Sequence, residues 1–300
     1  MVWTIAALSS EIIAGSVFPV IVGTREIAVF RDASGQCRAV DDRCAHRRAP
    51  LSLGKVTAQG LIECPYHGWR YDGASGSCKT IPNLSRTERV PGSYRIQAYP
   101  CDEHSGLVWI GDRADRHSSA SSGTELDTLM SGMDREGACL IGYPAALFRK
   151  ALLNAPSAVL AAARHEVLDS HQLGEPDICD DRVTVKYAVD RSRRRSAGKA
   201  TLAPSDFPFS LEIRATQAWD YVELSGADGI GSAFLFATVP VGDGLCRVIW
   251  RARQDAASGP ALTLRASPDS AALFAAYKAA AKISVPAEAC GNPEANRMAS

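Results

Sequence analysis

The sequence carries no net charge, 33 basic residues balancing 33 acidic ones over 300 positions. No global field then draws the chain to nucleic acid or to an anionic membrane, and only a local basic patch stays open. It also has no long uninterrupted apolar run. The N-terminal stretch MVWTIAALSSEIIAGSVFPVIV is apolar, but it lacks a positively charged start and Glu11 breaks it. Neither an export signal nor a membrane span fits, and core strand and turn are expected there. The cysteines do not form an even set: nine are scattered at positions 37, 44, 64, 78, 101, 139, 179, 246 and 290. That usage reads as reduced thiols in a cytoplasmic protein, some of them free to bind metal. Histidine is scarce, with six in all, and no internal repeat is visible.

What is present is ordinary globular material, 46% apolar and 22% charged, long enough for one large domain or two of usual size. Up to residue 112 the pattern is short strands and turns. IVGTREIAVFRD reads as a strand pair, LIECPYHGWRYDGASGSC as strand, loop and strand, and GLVWIGD as a closing strand. Residues 113–135 are polar and Ser-rich, which suits a linker. Residues 136–300 read as a second domain. A helix is expected from Pro156 through the Ala- and Leu-rich run to Asp169, ended by Gly174 and Pro176. RVTVKYAVD, SLEIRATQAW, YVELSG, SAFLFATVPV and LCRVIWRARQ follow as strands, and an amphipathic helix is expected over residues 268–283. The fold class is therefore α+β: an all-β N-terminal domain, then an antiparallel sheet flanked by helices.

The decisive pattern is Cys44-x-His46, 17 intervening residues, then Cys64-x-x-His67. Two thiolates and two imidazoles also suit zinc. A common zinc finger is disfavoured, because each half contributes one Cys and one His from a tight loop. A Rieske [2Fe–2S] centre needs that arrangement, with two Cys on one iron and two His on the other. Gly68 permits close backbone approach and Pro65 stiffens the second loop. Trp69 and Tyr71 are candidates to shield the cluster, and Arg47, Arg48 and Arg70 to form a basic docking edge for an acidic donor.

With those residues in view, CAHRRAPLSLG and CPYHGWRYDGASGSC resemble the Rieske domain of the non-haem iron ring-hydroxylating oxygenases, α-subunit or single-component type. The respiratory Rieske proteins carry an additional Cys in each ligand loop, which this chain lacks. The resemblance implies a C-terminal helix-grip (START-like) catalytic domain and a mononuclear Fe(II) on two His and one carboxylate, with open positions for O2. It also implies an NAD(P)H-dependent reductase, with or without a ferredoxin, and a homotrimer. The substrate would be a small apolar or aromatic molecule, hydroxylated or dealkylated. The family pattern for the iron is Asp, two residues, His, four residues, His. ARHEVLDSHQLGEPD, residues 163–177, sits where that pattern belongs but departs from it. The carry-over falls on His165 and His171 as ligands, Asp169 as the relay from a neighbouring subunit's cluster to the iron, Asp269 as the third ligand, and Glu166 as a substitute. On a regular helix His165 and His171 point about 120° apart, so the helix must distort or end between them. An electron-transfer or non-oxygenase protein with a degenerate second iron site is the alternative that this spacing favours.

Overall fold

A computed structural model describes residues 3–85, 88–112, 124–162, 167–179, 182–192, 207–226, 229–242, 244–254 and 262–264. The chain divides into two units, one of residues 1–128 with 239–243, the other of residues 129–238 with 244–300.

The first unit is built from short strands: β1 (Thr4–Leu8), β2 (Val17–Val22), β3 (Arg25–Arg31), β4 (Cys37–Asp41), β5 (Lys55–Val56), β6 (Ile62–Glu63), β7 (Arg70–Tyr71), β8 (Cys78–Thr80), β9 (Ala98–Tyr99), β10 (Cys101–His104) and β11 (Leu107–Ile110). They form three sheets, ordered β1-β11-β10, β2-β3-β4-β9 and β5-β6-β7-β8. Ile27 to Phe30 of β3 are buried on both faces, so that strand reads as continuously apolar rather than alternating. Arg31 joins two of the sheets, donating to both carboxylate oxygens of Glu103 at 2.7 and 2.6 Å. Fork-to-carboxylate geometry of this kind fixes orientation as well as charge.

The second unit holds α1 (Thr124–Met130), which begins in the first unit, then β12 (Arg135–Ile141), α2 (Ala145–Asn154), α3 (Pro156–Val159), β13 (Leu160–Ala162), β14 (Val167–Cys179), β15 (Arg182–Ser192), β16 (Phe209–Ala215), β17 (Asp220–Gly226), β18 (Gly229–Val241), β19 (Leu245–Gln254) and β20 (Leu262–Leu264). Seven of these strands form one sheet, ordered β12-β19-β18-β17-β16-β15-β14. The alternation in SLEIRA sends Leu211, Ile213 and Ala215 into the core and leaves Glu212 and Arg214 outside. Phe148, Ala151, Leu152 and Leu153 of α2 join Val185, Tyr187, Leu224, Phe234 and Phe236 of the sheet in one apolar cluster. Arg149 of α2 grips buried Asp220 through two bonds, at 2.9 and 2.6 Å, clamping helix to sheet.

The helix expected from Pro156 to Asp169 is not what forms. It stops at Val159, Leu160 turns extended, and Leu160–Ala162 pair with Leu262–Leu264. The high helix propensity of Ala and Leu is overridden by a strand partner about a hundred residues away. From Val167 the chain is the edge strand β14, so Asp169 and His171 lie on a strand and not at a helix end. The helix expected over 268–283 lies outside the described residues, as do residues 113–123 of the expected linker, whose later part contains α1. No described helix is long and apolar enough to cross a membrane.

Candidate metal centre

Two loops of the first unit carry the four candidate ligands, and both are closed in the same way. In the first, the Arg48 N–H donates to the Cys44 carbonyl at 2.9 Å, and the Cys44 N–H to the Ala49 carbonyl at 2.9 Å. In the second, the Gly68 N–H donates to the Cys64 carbonyl at 3.1 Å, and the Cys64 N–H to the Trp69 carbonyl at 2.8 Å. The fourth residue after each Cys has left-handed backbone, with φ 57° at Arg48 and 68° at Gly68. Glycine accepts that conformation freely; arginine does so at a cost of about 1–2 kcal/mol. A Cβ at Gly68 would also meet Pro82 Cγ at 3.1 Å.

The surroundings fix both loops. Buried Asp42 accepts from the Ser52 N–H at 2.6 Å and the Ser52 hydroxyl at 2.5 Å, locking the far end of the first loop. Gly54 then lies so close to β6 that an added Cβ would sit 2.0 Å from the Glu63 carbonyl oxygen, which holds the two loops side by side.

Each loop buries its cysteine and exposes its histidine. Cys44 and Cys64 are each 2% exposed and belong to the core cluster with Leu51, Ile62, Trp69 and Tyr71. His46 and His67 lie at the surface, their Nδ1 atoms facing each other at 3.1 Å. Two imidazole nitrogens on one tetrahedral ion, with bonds of about 2.0–2.1 Å, stand roughly 3.3 Å apart, so this convergence matches a shared metal. Among the described residues no three His, Cys, Asp or Glu converge on a single ion position. A pair of irons with two protein ligands each asks for no such trio. The donor set therefore fits a [2Fe–2S] group.

Electrostatics agree with that fit. Burial, and after it neighbouring Cys44, push the Cys64 thiol above its ordinary value, against backbone hydrogen bonds from Tyr66 and His67 that lower it. Desolvation, followed by neighbouring His46 and Arg47, holds His67 below the usual imidazole value, a direction that suits a neutral ligand. Tyr71 is fully buried, with its hydroxyl 3.0 Å from Cys44 Sγ and accepting from the Ala45 N–H at 3.2 Å. With Cys44 held as a metal thiolate, which has no proton to give, Tyr71 would be the donor to sulfur. Trp69, 9% exposed, stacks on His46 with centroids 4.8 Å apart and planes within 1°. Tyr71 thus reaches a ligand sulfur and Trp69 covers a ligand ring. Arg70 is not part of a free basic edge: its Nε donates to Glu63 at 2.6 Å. Arg47 and Arg48 are exposed.

The second set of candidates is not brought together. Asp169 and His171 share one face of the edge strand and are exposed. They lie opposite Asp190 and Ala188 of β15, and no further donor converges with them among the described residues. His165, Glu166 and Asp269 lie outside the described residues, as does His117. His104 is turned inward against Trp109, its ring stacked at 4.9 Å. The described residues do not make a mononuclear iron centre.

Comparison with known proteins fits the geometry of the first unit. Residues 2–100 match the family described as Rieske [2Fe–2S] domain. The chain is 44% identical over 110 residues to 4β-methylsterol monooxygenase of Methylococcus capsulatus, covering 35% of this chain and 27% of that protein. It is 36% identical over 110 residues to the oxygenase subunit of 3-chlorobenzoate-3,4-dioxygenase of Comamonas testosteroni, covering 36% of this chain and 25% of that protein. The likeness thus spans about a quarter of each relative's length. In fold it extends further. The crystal structure of dicamba monooxygenase bound to dicamba superposes with a TM-score of 0.62 at 21% identity, over 84% of this chain and 77% of that one. Residues 2–100 thus form a Rieske [2Fe–2S] domain, and over 84% of its length the chain shares the fold of dicamba monooxygenase.

Proposed function

We propose that this chain is the oxygenase component of a Rieske non-haem iron system, acting on a small apolar or aromatic molecule by hydroxylation or dealkylation. One observation carries the reading: two knuckles of the same backbone form, each with an inward cysteine and an outward histidine, the two imidazole Nδ1 atoms 3.1 Å apart. Cys44 and Cys64 are the proposed ligands of one iron, His46 and His67 of the other. When bound, such a group supplies reversible one-electron transfer at about −150 to +300 mV, against roughly −400 mV for an all-cysteine plant-type cluster. The chain's residues do the rest. The apolar packing around Cys44 and Cys64 excludes water from the sulfur side, Tyr71 donates to Cys44 Sγ, and Trp69 holds the plane of the His46 ring.

Substrate and partners follow from the fold likeness and belong to the proposal. Electrons come from an NAD(P)H-dependent reductase, directly or through a ferredoxin, in a cytoplasmic homotrimer. The reading needs a mononuclear iron, for which His165, His171 and Asp269 are the proposed ligands and Asp169 the residue linking the two iron sites.

A second reading has its own observation: exposed His171 and Asp169 on an edge strand, with no converging third donor among the described residues. It makes the chain an electron-transfer protein with a degenerate second iron site. Metal analysis of anaerobically purified protein, wild type beside His171→Ala, separates the two. The oxygenase reading expects about three irons per chain, falling towards two in the variant, and O2 uptake coupled to product from a panel of methoxylated and N-methylated aromatics. Two irons in both proteins, with no coupled O2 uptake, would establish the second reading instead.

A further inference from the structure

We infer that an acidic one-electron donor protein docks on the face around Tyr94, and that its electron enters through the ring stack Tyr94–Trp69–His46. This rests on the reading of Cys44, His46, Cys64 and His67 as a one-electron centre. Trp69 lies against His46 at 4.8 Å and against Tyr94 at 5.1 Å. Tyr94 is 41% exposed, so three rings in contact join a ligand of the centre to the surface. Electron tunnelling weakens steeply across wide gaps between groups, and each step of this route is a short ring-to-ring contact.

Charge around Tyr94 identifies the partner. Lys79 and Arg95 are exposed there, and Arg89 is exposed five residues earlier in the chain. The Cys78 N–H donates to the Tyr94 carbonyl at 2.9 Å, which places Lys79 beside it, and Arg95 bridges to Ser77. Lys79 and Arg89 make no hydrogen bond or ion pair among the described residues, and Arg95 spends one nitrogen on the Ser75 carbonyl at 2.9 Å. The nearby carboxylates are already engaged: Glu88 accepts from the Ser85 N–H at 2.8 Å, and Asp72 binds Ser75. Both carboxylates keep their charge, and Asp72 faces Lys79; three cations against two carboxylates leave a local positive excess in a chain with no net charge, which steers and orients a partner of the other sign. The step is a plain one-electron exchange: the donor loses one electron, the centre gains one, and no bond forms or breaks. An acidic all-cysteine ferredoxin lies lower in potential than a centre with two histidine ligands, so the transfer runs downhill.

The test uses holoprotein and an acidic plant-type [2Fe–2S] ferredoxin as probe. Calorimetry measures binding of the oxidised ferredoxin, and stopped-flow bleaching follows reduction by its reduced form. The charge reversal Lys79→Glu/Arg89→Glu should weaken binding by about tenfold or more at low salt and flatten its salt dependence, while Lys186→Glu in the other unit changes neither. Tyr94→Leu should bind within about threefold of wild type yet slow reduction at saturating ferredoxin by about tenfold, with Tyr94→Phe restoring the rate. Dithionite should reduce every variant equally. Binding indifferent to the charge reversal, or a limiting rate unchanged in Tyr94→Leu, overturns the inference. So does a change of oligomeric state in the double variant, which would assign the face to a second copy of the chain. A wild-type protein without the cluster's spectrum would instead remove the reading on which the inference rests.

Discussion

Replacing Tyr71 by Phe deletes one oxygen and leaves the ring that packs beneath the first loop. In the wild type that hydroxyl accepts from the Ala45 N–H and donates to Cys44 Sγ at 3.0 Å. The sulfur carries more negative charge when the cluster is reduced, so the bond is stronger in that state and its loss favours the oxidised one. A net hydrogen bond is worth about 0.5–1.5 kcal/mol, and 59 mV corresponds to a tenfold change in a one-electron equilibrium. The midpoint potential of Tyr71→Phe should therefore fall by about 20–65 mV. The loss of stability should stay near 1 kcal/mol, because Ala45 is exposed and water can replace the acceptor its N–H loses.

The assay is a redox titration of both proteins followed by visible circular dichroism, with urea unfolding alongside. A midpoint unchanged within about 10 mV, or one that rises, would show that the Tyr71 hydroxyl does not distinguish the two oxidation states. The direction of donation inferred above would then be wrong. A drop confined to stability would reduce Tyr71 to a packing residue.

Three further outcomes follow from the fold. Arg149→Leu strands the carboxylate of Asp220, 1% exposed, and should cost about 3–5 kcal/mol in urea unfolding; a loss below about 1 kcal/mol would mean that water reaches Asp220. Arg48→Gly relieves the positive φ in the first loop and should stabilise by about 0.5–1 kcal/mol, read as a raised melting temperature; a lowered one would refute the strain at this position. Hydrogen bonding from Arg31 holds the Glu103 carboxyl at about 2, well below its ordinary 4.5. The unfolded chain therefore takes up the proton first, and the stability contributed by this pair is complete above pH 4.5 and lost as pH falls towards 2. Glu103→Gln should flatten that stretch of the stability profile by about 2 kcal/mol, and an unchanged profile would refute the pairing.

The parts of this molecule readable from sequence are those whose causes are local. Each ligand loop is closed by bonds between residues four and five apart, so Cys44-x-His46 and Cys64-x-x-His67 announce their geometry within a few positions. SLEIRA and the other sheet strands show their alternation in the same local way. Tyr71 was readable as a candidate shield and no further, because its bond to Cys44 spans 27 residues. Nothing in PGSYRIQ announces that Tyr94 will meet Trp69. The stretch after Pro156 misleads for the same reason. Its composition favours helix, while the strand partner that decides the matter, Leu262–Leu264, is distant in sequence.

The position of the proposed cluster within the first unit also bears on how it works. Cys44 and Cys64 belong to the same apolar cluster as Leu51, Ile62, Trp69 and Tyr71, so the sulfur side is held by the core while the histidine side meets the surface. A centre anchored at one end by close packing, and at both loops by paired backbone bonds, has little freedom to rearrange when its charge changes. A small rearrangement is what fast one-electron exchange requires. On the surface side, Tyr66 lies against His67 with ring centroids 3.9 Å apart, and Trp69 stacks on His46, so both imidazoles are held by aromatic contacts while the sulfurs are held by the core.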